Sequence, residues 1–116
     1  MPKYKQGEII LIPIPFTDLS SQKRRPVIVI SNNEYNRKTS DIVVVAMTSN
    51  PAPVTYGFTI TSSDLSRGKL KRPSKVRVGK AYTLSQSIVV KTFGQVNENV
   101  LDRIRQLMQE LMSKKP

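Results

Sequence analysis

An arginine and two hydroxyl residues stand at the ends of apolar stretches, and their side chains are the best suited to chemistry. Arg25 directly precedes Pro26 and an apolar run that begins at Val27, and Thr48 and Ser49 directly follow the run DIVVVAM. A guanidinium stays charged and presents a planar fork of donors that matches a phosphate, which a nearby hydroxyl can also bond. These residue types indicate electrostatic chemistry on a phosphate. An arginine at a strand end is also commonly a surface ion pair, so the rest of the chain must decide.

The composition removes several other kinds of chemistry. Histidine and cysteine are absent, which excludes the commonest metal ligand, the usual acid–base group near neutral pH and any thiolate nucleophile. The eight carboxylates show no metal-ligand spacing, and Asp18, Asp41 and Asp64 have the sequence context of turn and cap residues. We therefore expect no metal and no cofactor.

The charge balance indicates the class of partner. The chain carries 19 Lys+Arg against 8 Asp+Glu, a formal net charge of +11. Such an excess on a small domain favours a polyanion, above all nucleic acid, over a merely solubilising surface. No apolar run approaches the roughly 20 residues of a membrane span, and the opening MPKYKQGE lacks the apolar core of a signal peptide. We expect a cytoplasmic protein with no membrane partner.

Apolar and β-branched runs predict one mainly β (α+β) domain over residues 1–116, closed by a C-terminal helix. The run at 41–47 is apolar on both faces, which is typical of a central strand. Asn97 is a plausible N-cap for the helix. Polar segments at 17–25 and 32–40, the second with room for one helical turn, and a helical turn at 64–67 join the strands. The predicted strands are residues 7–16, 27–30, 41–47, 57–61, 76–84 and 87–96, and Gly94 is a candidate for a bulge. Alternation along residues 76–84 predicts one face made of Val76, Val78, Lys80, Tyr82 and Leu84. The apolar stripe of the helix comprises Val100, Leu101, Ile104, Leu107, Met108, Leu111 and Met112.

Pairing of the second and third strands would position the arginine. If they form an antiparallel hairpin, the start of one lies beside the end of the other, and Arg25 comes next to Thr48 and Ser49. Directly opposed residues are about 4.5–5.5 Å apart at Cα, so a guanidinium and a hydroxyl would face one phosphate.

Two clusters of basic and polar residues are candidate contacts for single-stranded RNA. One precedes the second strand, and the other is either a groove that follows the nucleic-acid backbone or a solvated connector. The first cluster is Gln22, Lys23 and Arg24, and the second is Arg67, Lys69, Lys71, Arg72, Lys75 and Arg77. Tyr56, Phe58 and Tyr82 are candidates for stacking on a base.

At this point the chain resembles the PemK/MazF family of toxin endoribonucleases. The resemblance rests on the opening strand Gly7-Glu8-Ile9, on PF at 15–16, on the step from Arg25-Pro26 into VIVIS, and on the apolar strand that ends in Thr48-Ser49. It implies an SH3-like small curved β-barrel with a C-terminal helix that works as a homodimer. It further implies that Arg25 and Thr48 are catalytic, that single-stranded RNA is cleaved without a metal, and that a cognate acidic antitoxin binds the toxin.

Two departures limit what the resemblance implies. The loop before Arg25 is short and carries SSQKRR rather than the acidic residue of several relatives. Gly79-Lys80 stands where many relatives have an acid–amide pair, so base specificity does not transfer. The alternatives are a non-catalytic barrel that binds nucleic acid and one that inhibits DNA gyrase.

Overall fold

The computed structural model describes residues 3–13 and 23–115, and within them the chain forms a curled antiparallel sheet and two α-helices. The predicted mainly β fold with a C-terminal helix is confirmed. The strands are β1 Glu8–Pro13, β2 Arg24–Val29, β3 Asp41–Thr48, β4 Gly57–Ile60, β5 Leu65–Arg67, β6 Ser74–Ser85 and β7 Lys91–Val96, and the helices are α1 Asn33–Lys38 and α2 Glu98–Met112.

The order of strands in the sheet is β4-β6-β3-β2-β1-β7-β5, and all neighbours are antiparallel. β3 is a central strand, as its unbroken apolar sequence predicts, and Val44 and Val45 are fully buried on its opposite faces. The predicted pairing of the second and third strands is also confirmed, with Val27 opposite Ala46.

Each face of the sheet is covered by an apolar cluster. On one face, α2 packs Val100, Leu101 and Ile104 against the strands. The predicted cap is confirmed because the Asn97 side chain accepts a hydrogen bond from the Val100 backbone N–H at 3.0 Å. The last turn of the predicted stripe does not pack on the sheet in the same way, since Met112 is 75% exposed. The opposite face buries Ile10, Ile12, Val27, Val29, Ile42, Val44 and Leu84. No helix in the described part of the chain is long and apolar enough to cross a membrane.

Several predicted element bounds were wrong. Leu65–Arg67 is strand β5 rather than part of a helical turn, because Leu65 pairs with Val96 of β7. The helical turn precedes it, at Ser62–Asp64. β7 begins at Lys91, after a 3-10 turn at Gln86–Ile88. The predicted extension of the first strand to residue 16 lies outside the described residues, as does Asp18.

Besides a register shift between Leu65 and Arg67 of β5, two bulges interrupt the described part of the sheet. The one predicted near Gly94 is confirmed, since Ile9 opposes Gly94 while Ile10 opposes Thr92. The other was not predicted: Val45 opposes Ala81 but Ala46 opposes Arg77, so residues 78–80 oppose no residue of β3.

The β6 bulge also reverses the faces of the strand. Side chains alternate along a strand, and an odd number of extra residues exchanges the two faces. Val76 and Val78 therefore pack on the α2 side, whereas Leu84 packs on the opposite side. The predicted single face running from Val76 to Leu84 was wrong for this reason.

Candidate nucleic-acid interface

Arg25 and Thr48 line one cavity at one end of the β2–β3 pair. The paired register of these strands ends at Val27 and Ala46, and two more residues in the same register would set Arg25 across from Thr48. Both residues, with Ser49, line an open cavity of about 560 Å³, here called the arginine cavity. The predicted juxtaposition is therefore present in the structure, while the catalytic roles remain predictions.

Arg25 lies within a strand rather than in the loop that was predicted to end at it. β2 begins at Arg24, and Arg25 pairs with Ile12 of β1. The residue is nevertheless exposed. Its backbone is thus fixed by the sheet while its guanidinium stays accessible to an anion.

The Thr48 hydroxyl accepts a hydrogen bond from the loop after β3. The Asn50 backbone N–H donates to Thr48 Oγ1 at 3.1 Å, and the Ala52 backbone N–H donates to Asn50 Oδ1 at 2.9 Å. Turns of this kind are typical of Ser, Thr and Asn side chains that follow a strand. Because Oγ1 already accepts a hydrogen bond, its own O–H is available to donate to a ligand oxygen.

Two further cavities adjoin the arginine cavity and form one groove with it. The bulge cavity, of about 540 Å³, shares Thr48 and Asn50 with the arginine cavity. The lysine cavity, of about 660 Å³, shares Ser49 and Arg72 with it on the other side. We call the three together the basic groove.

The basic groove collects cations and lacks opposing carboxylates. Among the described residues, no Asp or Glu lines any of the three cavities. The ion pairs of the described chain are made by Lys38, Arg67 and Arg105, which lie outside the cavity linings. The cations that line the groove are Arg24, Arg25, Lys69, Lys71, Arg72, Arg77, Lys80 and Lys91. Lys75 lines a neighbouring cavity with Arg72. Concentrated positive charge of this kind attracts a polyanion.

Some predicted contacts do not reach the groove. Arg67 lies in β5, where its guanidinium donates to Gln95 Oε1 at 2.8 Å and pairs with Glu8 at 3.6 Å. Phe58 is buried with the Arg103 guanidinium 4.5 Å from its ring centre, so it cannot stack on a base. Lys23 is exposed directly before β2, and Gln22 lies outside the described residues.

Several residues that line the groove had no predicted role, among them Lys91, Phe93, Asn50 and Lys80. Lys91 and Phe93 alternate along β7 and enter the lysine cavity, a spacing that was visible but was assigned to no site. Asn50 begins an Asn-Pro step, which is a common turn signal. Lys80 was noted only as a departure from relatives, yet it lines the bulge cavity.

Tyr82 is a phenol near Arg25. Partial burial raises its pKa above the ordinary value of 10.0, and the Arg25 guanidinium opposes that rise. The phenol therefore keeps its proton near neutral pH and can donate a hydrogen bond, but it does not supply a phenolate base.

The chain belongs to the family of PemK-like, MazF-like toxins of type II toxin–antitoxin systems, whose model matches residues 5–112. A search of curated proteins finds no matching sequence. The resemblance noted in the sequence is thus confirmed at the level of the family.

Solved structures share the fold at low sequence identity. An endoribonuclease in complex with its cognate antitoxin, from a mycobacterial species, has a TM-score of 0.75 at 19% identity over 97% of this chain and 99% of that one. A mycobacterial endoribonuclease has a TM-score of 0.74 at 22% identity over 100% and 98%. A MazE–MazF crystal structure from Deinococcus radiodurans has a TM-score of 0.76 at 19% identity over 98% and 100%.

Proposed function

We propose that this protein is a toxin that cleaves single-stranded RNA at specific sequences without a metal ion. The observation that carries the proposal is that Arg25 and Thr48 line one cavity, within a groove lined by cations. Pure binding of nucleic acid requires the positive charge but not a hydroxyl opposed to one exposed arginine. Membership in the toxin family and the endoribonuclease names of similar structures support the same activity.

The substrate supplies its own nucleophile in this reaction. The 2′-hydroxyl attacks the adjacent phosphorus, the bond to the 5′-oxygen breaks, and the products are a 2′,3′-cyclic phosphate and a 5′-hydroxyl. The 2′-hydroxyl loses a proton and the departing 5′-oxygen gains one. Arg25 stabilises the extra negative charge of the five-coordinate phosphorus, because a guanidinium is too weak a base to remove the proton itself. Thr48 donates its hydroxyl hydrogen to a non-bridging oxygen or orients the 2′-hydroxyl.

The same charge defines the protein partners. A cognate antitoxin with an acidic, partly disordered segment would lie along the basic groove and compete with RNA. Similar proteins from mycobacteria and Deinococcus radiodurans have been solved with antitoxin or MazE bound. The toxin works as a homodimer, which would cover apolar surface such as the exposed Met112 at the end of α2. Its place of action is the cytoplasm, where its RNA substrate is found.

Replacement of Arg25 tests the reaction directly. In a chelator, the wild-type protein should cut single-stranded RNA at defined positions and leave cyclic-phosphate and 5′-hydroxyl ends, which end mapping identifies. Arg25→Ala should slow cleavage by about 10²-fold or more, because a donor aimed at developing charge is lost. Arg25→Lys should also be slow, since it keeps the charge but loses the planar fork.

Arg37→Ala is the matched control, because Arg37 is an exposed arginine on α1 at the other end of β2 and β3. It should cleave at the wild-type rate. Intact RNA with the wild-type protein would favour a binding barrel or a gyrase inhibitor. Near-full activity of Arg25→Lys would exclude a specific guanidinium role.

A further inference from the structure

The β6 bulge builds a cavity beside the proposed phosphate site. Residues 78–80 leave the β3–β6 ladder, and Gly79 and Lys80 line the bulge cavity together with Arg77, Thr55 and Tyr56. Bulges commonly redirect side chains next to functional sites. The volume of about 540 Å³ lies in the range of small-molecule pockets, so a nucleotide base fits.

Arg77 enters this cavity with hydrogen-bonding capacity unused. Its Nε is buried and has no hydrogen-bond partner, and no ion pair reaches its guanidinium from the residues that the structure describes. A buried donor without an acceptor is costly, and such groups in native proteins call for an explanation. The buried Nε is closed to a ligand, but the two terminal nitrogens of the same guanidinium have no ion pair among the described residues, and a ligand in the cavity would bond to them.

The cavity wall opposite the bulge also shows local strain. Tyr56 has φ of 54°, a left-handed conformation that is uncommon for a tyrosine, and the Val78 backbone N–H holds it by donating to its carbonyl at 3.0 Å. Strained backbone held by its neighbours tends to occur at ligand sites. The half-buried Tyr56 lines the cavity, where its ring can stack on a base.

We propose that the bulge cavity binds the base next to the scissile phosphate and selects guanine, with Arg77 as the specificity-determining residue. The position next to the phosphate rests on the proposed function and on Thr48 and Asn50, which line both this cavity and the arginine cavity. Guanine presents two adjacent acceptors, O6 and N7, which match the two-donor fork of an arginine.

The other bases suit this lining less well. On the edge that carries N7 and O6 in guanine, adenine presents an amino donor beside N7 and cytosine presents an amino donor, so on that edge both place an N–H against the N–H donors of Arg77 and Lys80. Among the described lining residues no carboxylate is present to accept from those amino groups. Uracil offers a single acceptor, O4, on the corresponding edge. The cavity is therefore a site for an acceptor-rich purine edge.

Binding of uncleavable RNA tests base selection separately from catalysis. The probes are single-stranded heptamers of 2′-fluoro uridine with one central G, A, C or U, which cannot undergo 2′-attack, and fluorescence anisotropy measures Kd. The wild-type protein should bind the G heptamer about tenfold or more tightly than the A heptamer, as expected for a two-bond arginine contact. Arg77→Gln should bind all four within about twofold.

Two further variants keep the result interpretable. Arg77→Lys retains the charge without the fork and should lose the guanine preference, which separates base readout from general attraction. Arg37→Gln removes a distant exposed arginine and should keep the preference. Thermal melting identifies any variant that fails to fold, and Arg77→Lys then carries the test if Arg77→Gln does not fold.

End mapping of cleaved RNA supplies the second arm. Wild-type cuts should share a guanine on one side of the broken bond, and Arg77→Gln should cut at other bases as well. Cleavage with no guanine preference, or a preference that survives in both Arg77 variants, would overturn the base assignment and leave the enzyme proposal standing. A guanine preference in the heptamers without any cleavage would support the cavity and count against the enzyme.

Discussion

At the scale of single residues, the site combines a fixed backbone with accessible polar atoms. Arg25 is held by its strand pairing with Ile12 but remains exposed, and the Thr48 hydroxyl accepts from the Asn50 backbone N–H. Both residues line the same open cavity. Positioning of this kind can supply a large part of a catalytic rate in an enzyme without histidine.

Thr48 offers a test of the hydroxyl alone. Thr48→Val keeps the shape and removes the donor, so the single-turnover cleavage rate at saturating protein should fall by about 10²-fold. Thr48→Ser restores the hydroxyl and should retain most of the rate, which a purely structural role of the threonine methyl group would not allow. A valine variant that cleaves as fast as wild type would remove Thr48 from the reaction.

At the scale of elements, α2 depends on a defined start. Asn97 satisfies the Val100 backbone N–H, and directly behind it Val100, Leu101 and Ile104 anchor the helix on the sheet. A helix without its cap leaves backbone donors unpaired at its first turn.

Removal of this cap should destabilise the fold without touching the groove. Asn97→Ala should lower the free energy of unfolding by about 1 kcal/mol, whereas Asn97→Ser should be close to wild type. Gln106→Ala, at an exposed position of the same helix, is the control and should change stability by less than about 0.5 kcal/mol. Urea unfolding followed by circular dichroism measures all three. Equal stability of Asn97→Ala and wild type would show that the cap is dispensable.

Elements with strong local signals could be predicted from the sequence, and those made by distant pairing could not. The apolar stripe of α2 and its N-cap Asn97 are local signals, and so is the apolar run of β3. β5 forms because Leu65 pairs with Val96, which is distant in the sequence. The residues around Leu65 therefore do not predict this strand. The same pairing carries Arg67 out of the basic groove.

The candidate site divides in the same way into a part that local signals predict and a part that they do not. The Arg25–Thr48 juxtaposition follows from one hairpin register, which two apolar runs determine. The bulge cavity could not be predicted in this way, because the alternation from Val76 to Leu84 is compatible with an uninterrupted strand. Only the pairing of β6 with β3 shows that three residues leave the ladder and that Lys80 joins Arg77.

At the scale of the whole molecule, charge is separated in space. The cations of the basic groove gather around the loop after β3, while Asp41 lies at the opposite end of that strand and Glu98, Asp102 and Glu110 lie on α2. Among the described residues, an approaching polyanion therefore meets cations in the lining of the groove and no carboxylate there. Fields of this kind accelerate association and weaken with salt.

RNA affinity should fall steeply with salt for this reason. Each phosphate contact on single-stranded nucleic acid contributes about 0.7 to the log–log slope, so four contacts would give a slope of about −3. Arg72→Gln should reduce the magnitude of the slope by about 0.7, because Arg72 lines both the arginine and the lysine cavities. Arg37→Gln removes the same charge on α1, at the other end of β2 and β3, and should leave the slope unchanged. Fluorescence anisotropy between 50 and 300 mM salt gives these values, and a flat response would refute the groove.

The β6 bulge separates the choice of base from the stability of the sheet. Gly79 and Lys80 oppose no residue of β3, and a Cβ added to Gly79 would meet only the Thr55 carbonyl oxygen, at 4.0 Å, among the described atoms. A side chain introduced there, for instance a carboxylate that accepts from amino groups, would change which base fits without breaking a ladder hydrogen bond. If the bulge cavity selects the base as proposed, one or two substitutions there would change the target sequence while the β3–β6 ladder stays paired.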